Sequence, residues 1–138
     1  MPAANEPGRA ADPPPSGCAR CRGDDVEVAW EAARSRPVRR LIDESHYGIR
    51  VTACDCGQPF AVVFTESIDW VNGDDPQTWL VVPLAPGEAE RLTGTDDEIA
   101  SALTAFAAGR RFLVRTFPSA PARSTWWCDA GFDIGPHD

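Results

Sequence analysis

Alternating apolar and polar positions in the middle of the chain predict β-structure. Odd-numbered positions are mostly apolar across 47–53, even-numbered positions are mostly apolar across 60–70, and a continuous apolar run occupies 79–84. Period-two alternation is typical of a strand with one buried face. Residues 72–76 favour a turn, because Asn and Gly tolerate positive φ and Pro cannot continue a ladder. The connections are too short for crossover helices, so the pattern predicts a three-stranded antiparallel meander.

Helical signals lie on both sides of this meander. The apolar positions of 25–35 fit either a short helix or a strand. A helix is favoured because the second half of that segment is rich in good helix formers and Pro37 follows it. Thr95 and Glu98 match a capping box, which predicts a helix that begins at this point and ends at Gly109.

The remaining segments complete an α+β prediction. We expect a short helix over 86–92, a fourth strand over 112–117, and after it a loop with room for one short strand. The predicted fold is an antiparallel sheet of three or four strands with one to three helices packed against it. A Pro-rich tail at 1–17 is predicted to be disordered, and 18–138 to form a single domain.

No membrane or secretory segment is predicted from the sequence. No run approaches the ~18 apolar residues that a membrane span requires. The first seventeen residues contain no apolar stretch of the kind that a secretory signal has. A cytoplasmic location is therefore expected.

The acidic charge of the chain is concentrated in one stretch. The net charge is −8, and residues 54–100 contain ten acidic residues and one arginine. Nucleic-acid binding is disfavoured, because affinity for phosphates comes from Lys and Arg. Four acids of this stretch form a group whose spacing does not match a calcium loop; they are Glu66, Asp69, Asp74 and Asp75. We interpret the group as a solvated turn and strand edge, or as a contact for a basic partner protein.

Two close cysteine pairs are the clearest chemical signal. Two residues separate Cys18 from Cys21, and one residue separates Cys54 from Cys56. Two tight turns, each presenting two thiolates, are what a tetrahedral zinc ion requires. The second pair lies between two predicted strands, so its turn is expected at the tip of a hairpin. The sequence therefore predicts a four-cysteine zinc site.

These cysteines resemble the knuckles of zinc-ribbon and rubredoxin-like proteins. The resemblance covers 18–23 and 54–57 with the strands that follow, which is under half of the chain. In those families four cysteines hold one metal ion and join two hairpins, which implies one structural Zn²⁺ held by Cys18, Cys21, Cys54 and Cys56. The sequence departs from the usual pattern in having a single residue between the cysteines of the second pair.

The cysteines also allow uses other than a zinc site. Four thiolates also accept iron, and zinc is favoured as the more available structural metal. A redox-active Cys18/Cys21 pair is a further possibility. A disulfide framework is disfavoured, because five cysteines leave one unpaired and the expected location is cytosolic. Cys128 is interpreted as a buried free thiol.

No catalytic constellation is recognisable, so the protein is predicted not to be an enzyme. The sequence has no Gly-rich phosphate loop, nucleophile elbow or dinucleotide fingerprint. Its two histidines, His46 and His137, are interpreted as structural or idle.

Two hypotheses for function follow from the sequence. The first is a zinc-binding protein-interaction module, whose partner would contact the acidic group or the segment of Trp126 and Trp127. We expect both tryptophans to close the core, although one of them could be an exposed anchor. The second is a thiol-based redox or metal-sensing protein that uses the two cysteine pairs.

Overall fold

The fold comes from a computed structural model that describes residues 15–66, 76–120, 123–129 and 134. The helices are α1 (Val26–Ala33) and α2 (Asp96–Ala107), with a 3₁₀ turn at Ala89–Arg91. The strands are β1 (Arg36–Glu44), β2 (Tyr47–Ala53), β3 (Pro59–Glu66), β4 (Gln77–Pro83), β5 (Phe112–Ala120) and β6 (Arg123–Cys128).

The six strands form one antiparallel sheet in the order β1-β2-β3-β4-β5-β6. The α+β class and the meander are thus confirmed, but the predicted number of three or four strands was too small. β1 shows no alternation of apolar and polar residues, because Ile42 is its one fully buried residue. In the sequence, Pro37 indicates only the end of a helix. In the structure it lies on an edge strand, where the absence of a backbone N–H is tolerated.

Both predicted helices of regular length are present. The side chain of Asp25 caps α1 by accepting a hydrogen bond from the Val28 amide at 3.2 Å. The capping box of α2 is confirmed: Thr95 Oγ1 accepts from the Glu98 amide at 3.1 Å, and Glu98 Oε1 accepts from the Thr95 amide at 2.8 Å. The segment expected to form a helix at 86–92 contains only the 3₁₀ turn.

The sheet is covered on both faces, and each face has its own apolar cluster. We call them the α2 face and the cysteine face. The α2 face packs against α2 and includes Ile49, Val51, Val63, Leu80, Leu84, Leu92, Leu103, Phe112 and Val114. The cysteine face packs against α1 and includes Cys21, Cys54, Ala29, Trp30, Ala33, Phe60, Val62, Val81 and Leu113.

The consecutive tryptophans of β6 are explained by this two-sided burial. Trp126 packs against the α2-face cluster and Trp127 against the cysteine-face cluster. Both side chains are half-buried. Because neighbouring strand residues point to opposite faces, both tryptophans contact a core without the bend that a one-sided sheet would need.

The N-terminal tail lies mostly outside the described residues. Within its last part, the Ser16 amide donates a hydrogen bond of 2.8 Å to Gln58 Oε1. No helix in the described part of the chain is long and apolar enough to cross a bilayer.

Candidate metal centre

The first cysteine pair lies on a tight turn before α1. The Arg22 amide donates to the Cys18 carbonyl at 3.0 Å, which closes the turn. The Cys18 amide donates to Cys21 Sγ at 3.3 Å. At Gly23 a Cβ atom would lie 2.1 Å from the Ala19 carbonyl oxygen, so the turn can be this tight only with glycine there.

The second pair lies at the tip of the β2–β3 hairpin, as predicted. The Cys54 amide donates to the Gln58 carbonyl at 3.0 Å, and the Gly57 amide donates to the Cys54 carbonyl at 2.8 Å. Gly57 has a φ of 98°, a conformation that costs glycine little. This tip is sharp enough to bring together two cysteines separated by only one residue.

The two turns bring the four predicted cysteines into one cluster. All four sulfur atoms lie within 4.8 Å of one another. Cys18 Sγ is 3.8 Å from Cys21 Sγ and 3.7 Å from Cys54 Sγ, and Cys21 Sγ is 3.8 Å from Cys56 Sγ. A tetrahedron of sulfurs about 2.3 Å from a central zinc ion has edges of about 3.8 Å. The cluster therefore has the dimensions of a four-thiolate metal site.

The same distances exclude a preformed disulfide among these residues. A disulfide needs two sulfurs about 2.05 Å apart, and the four cysteines of the cluster are free thiols. The fifth, Cys128, is half-buried and packs against the α2-face cluster. Cys128 is therefore less buried than the sequence analysis predicted.

The cluster has a buried side and an open side. Cys21 and Cys54 are both 0% exposed and belong to the cysteine-face core. Cys18 is half-buried, and Cys56 is exposed. An ion held by these sulfurs would therefore be anchored on the core while one of its ligands faces water.

Burial and backbone amides act in opposite directions on these thiols. Burial raises the pKa of Cys21 to about 12 and also raises the pKa of Cys54. Hydrogen bonds from the backbone of Cys21 and then of Arg20 lower the pKa of Cys18 to about 6. Metal ions bind thiolates, so metal must displace protons from the two buried sulfurs. Metal uptake at this site is therefore expected to release protons.

Three arginines lie close to the two cysteine turns. The half-buried Arg22 guanidinium interacts electrostatically with Cys21 and donates to the Ser16 carbonyl at 2.7 Å. Arg111 Nη1 donates to the Arg22 carbonyl at 3.3 Å. Arg36 lies 3.9 Å from Asp55, at the tip of the hairpin. Four thiolates and one divalent ion carry a net charge of −2, which such cations offset.

A tryptophan links the first cysteine turn to the far edge of the sheet. Trp127 Nε1 donates a hydrogen bond of 2.8 Å to the Gly23 carbonyl. The Arg111 guanidinium stacks 4.1 Å from the centre of the Trp127 ring and donates to Asp24 at 3.2 Å. The sequence gives no local signal for this contact, because more than one hundred residues separate its two partners.

Of the predicted acidic group, the structure describes only Glu66. Its carboxylate accepts hydrogen bonds from Gln77 Nε2 at 2.8 Å and from His46 Nδ1 at 2.9 Å. These two bonds, that from Gln77 first, lower the pKa of Glu66. His46 thus has a structural partner. The other members of the group, Asp69, Asp74 and Asp75, lie outside the described residues, as does His137.

Comparisons with protein-family models, with curated proteins and with solved structures found no match to this chain. The resemblance to zinc-ribbon knuckles stays a prediction at the level of the motif. The geometry of the cysteine cluster is therefore the main indication of function.

Proposed function

We propose that this protein is a small zinc protein whose single Zn²⁺ is structural, and that it serves as a protein-interaction module. The observation that supports the zinc site most is the spacing of its sulfurs, 3.7 to 3.8 Å for three pairs and under 4.8 Å for all. Zinc is preferred over iron as the more available structural ion for four thiolates. The ion would be held by Cys18, Cys21, Cys54 and Cys56.

A structural rather than catalytic ion fits the ligand count. Four thiolates fill the tetrahedral coordination of zinc and leave no position for a water molecule. The ion would instead connect the turn before α1 to the β2–β3 hairpin. Its binding would add to the stability of the fold, because a site of this kind does not exist in the unfolded chain.

The zinc site is tested by elemental analysis of protein purified without added zinc. We expect one zinc ion per wild-type chain, and less than one in ten chains loaded for Cys56→Ser. Cys128→Ser is the matched control, because it removes a thiol outside the cluster and should keep full zinc. A folded wild-type protein without metal, or equal loss in both variants, would contradict the proposed site.

The interaction surface that the described residues support best is the β6 edge. β6 is the last strand of the sheet order, so one side of its backbone has no neighbouring strand among the described residues. It presents a half-buried tryptophan to each face, Trp126 and Trp127. An edge strand with aromatic side chains suits a partner that adds a strand to the sheet. Glu66 is less suited, since its carboxylate is already occupied by two hydrogen bonds.

A photo-crosslinking amino acid at Ser124, on the β6 edge, tests this surface in cells. The same group at Val38, which is 60% exposed on the opposite edge strand, is the control. One protein captured from position 124 and not from 38, identified and shown to bind the purified zinc form, would support the module. Equal capture at both positions would contradict the choice of β6.

A redox or metal-sensing function is the second candidate, and the exposure of Cys56 favours it. An exposed zinc thiolate is accessible to oxidants. Peroxide would take two electrons from two thiolates, forming one disulfide and two water molecules after uptake of two protons, and zinc would leave. A chromogenic zinc indicator and a thiol count under mild peroxide separate the two functions: the module keeps its zinc and its thiols, and the sensor loses both.

A further inference from the structure

A pocket lies on the α2 face, on the opposite side of the sheet from the cysteines. It has a volume of about 510 Å³ and lies between the end of the β1–β2 hairpin and the first turns of α2. Three carboxylates line it, those of Glu44, Asp96 and Asp97, and its apolar walls include Ala100 and Ile134. No basic side chain lines it among the described residues.

A buried phenol in this pocket has no hydrogen-bond partner. Tyr47 also lines the pocket; it is 3% exposed, and its hydroxyl is unsatisfied. The antiparallel register pairs Tyr47 with Glu44, so both side chains lie on the same face of the sheet. Buried hydroxyls in folded proteins are nearly always hydrogen-bonded, because leaving one unpaired destabilises the fold. The phenol therefore offers an unused hydrogen-bonding group to a molecule bound in this pocket.

The three carboxylates give the pocket a negative charge, so a group bound there should be positively charged. Glu44 and Asp96 line the same pocket. Hydrogen bonding with Asp96, followed by burial and by the charge of Asp96, raises the pKa of Glu44. Two carboxylates in one pocket repel each other unless a proton or a cation lies with them. A positively charged ligand would relieve the repulsion and could also bond the phenol.

The size and layout of the pocket favour an organic cation over a bare metal ion. The three carboxylates do not converge on one point as the four cysteine sulfurs do. Among the described residues, only the cysteines form a group close enough to hold a metal ion. The volume falls in the range of small-molecule sites, roughly 300–1,000 Å³. A guanidinium presents several N–H donors in a planar fork and can bridge two carboxylates. The ring of Tyr47 and the apolar walls would contact the carbon chain of such a ligand.

We infer that the pocket formed by Glu44, Tyr47, Asp96 and Asp97 binds an organic cation that carries a guanidinium or ammonium group. The carboxylates of Glu44 and Asp96 accept its N–H groups, and the Tyr47 hydroxyl bonds the ligand at the buried end. This site is independent of the proposed zinc and of the β6 edge. A free amine and an arginine side chain of a peptide offer the same chemistry.

Calorimetric titration of the full zinc-loaded chain with agmatine tests the inference. We expect saturable binding to the wild type and a loss of affinity of about tenfold or more for Glu44→Gln, as for removal of one charged hydrogen bond. Asp43→Asn is the matched control, because Asp43 is the neighbouring exposed acid and pairs with Arg40 at 3.1 Å. Its affinity should stay within about twofold of the wild type.

Tyr47→Phe separates a binding role from a structural one. It removes the unsatisfied hydroxyl without emptying the core, so the thermal midpoint should not fall while affinity for agmatine drops by several-fold. A capped arginine tripeptide titrated in parallel shows the source of the ligand: tighter peptide binding indicates a partner's side chain, and tighter agmatine binding indicates a free amine.

Three results would overturn the inference. The first is no saturable binding of agmatine or the peptide to the folded wild type. The second is an equal loss of affinity in Asp43→Asn, which would mean attraction to the overall charge. The third is binding of Ca²⁺ or Mg²⁺ that depends on Glu44 while the organic cations do not compete, which would mean a metal site.

Discussion

The two faces of the sheet are held by different kinds of interaction. On the α2 face, large aliphatic and aromatic side chains such as Leu84, Leu103 and Phe112 are almost completely buried. On the cysteine face, α1 buries three alanines and Trp30. The rest of that face combines buried side chains of the sheet, such as Phe60 and Leu113, with the cysteine sulfurs, arginines stacked over tryptophans and a hydrogen bond to the cysteine turn.

This difference suggests that the α2 face and the cysteine face contribute to the stability of the molecule in different ways. Burial of large apolar side chains stabilises a fold by about 25 cal/mol per Å² of buried apolar surface. This contribution requires no bound metal. An eight-residue helix with mostly small buried residues gains much less from packing, and a helix this short is marginal by itself. We therefore expect the α2 face to hold without metal and the cysteine face to depend on it.

Removing the proposed zinc is the strongest way to test this contrast. After chelation, we expect the amides of α1 and of residues 18–23 to lose hydrogen-exchange protection by about 100-fold or more, equivalent to about 3 kcal/mol. The amides of α2 should lose less than about tenfold. The measurement is residue-resolved hydrogen exchange on the two forms. Equal loss in both helices would mean that the faces unfold as one unit.

Matched truncations of the two cores give the next largest effect. Leu103→Ala on the α2 face should lower the free energy of unfolding by about 3 kcal/mol and leave zinc release unchanged. Leu113→Ala should cost a similar amount, because Leu113 is 1% exposed, but it lies in the same cluster as Cys21 and Cys54. It should therefore also speed zinc transfer to a chelator. Urea unfolding and a zinc indicator measure the two quantities, and equal release rates would contradict the division.

The two regions also differ in how much the sequence revealed. The α2 face was partly predictable, because the alternation in β2 and the capping box at Thr95 are local signals, whereas the even-numbered apolar positions of β3 lie on the cysteine face. The four cysteines were predictable as a group from their spacing. The edge strands β1 and β6 were not, because β1 exposes most of its residues and β6 faces a core on each side, so neither shows simple alternation.

The contacts that support the cysteine turn could not be predicted from the sequence. The hydrogen bonds from Trp127 to Gly23 and from Arg111 to Asp24 join residues far apart in the chain. Such pairs depend on the strand order and the register, which the sequence alone did not fix. The sharp hairpin tip at Gly57, in contrast, follows from local turn chemistry.

A buried ion pair at the end of the α2 face offers a smaller and pH-dependent test. Glu88 is 5% exposed; it pairs with Arg110 at 2.6 and 2.7 Å and accepts from the Ala85 amide at 2.8 Å. Burial opposes its ionisation, but the bonds from Arg110 and Ala85 outweigh burial and lower the pKa of Glu88 below 4.5. Its stabilisation is therefore complete above that value and is lost as the pH falls through the lowered pKa.

Glu88→Gln should consequently cost about 2 kcal/mol at pH 7 and progressively less in acid. Glu90→Gln, an exposed acid on the same 3₁₀ turn, is the control and should change stability by less than about 0.5 kcal/mol. Urea unfolding across pH measures both variants. A cost for Glu88→Gln that grows as the pH falls would contradict the direction of the shift.

The smallest expected effect isolates one hydrogen bond between β6 and the cysteine turn. Trp127→Phe removes the donor to the Gly23 carbonyl and keeps an aromatic ring for Arg111 to stack on. A neutral hydrogen bond contributes about 1 kcal/mol, so zinc transfer to a chelator should become about fivefold faster. Trp126→Phe makes the same change in size on the α2 face, and it should lower stability without changing that rate. If both variants release zinc equally fast, the β6 strand contributes to the cysteine turn only through general packing, and the distinction between the two faces does not extend to this edge.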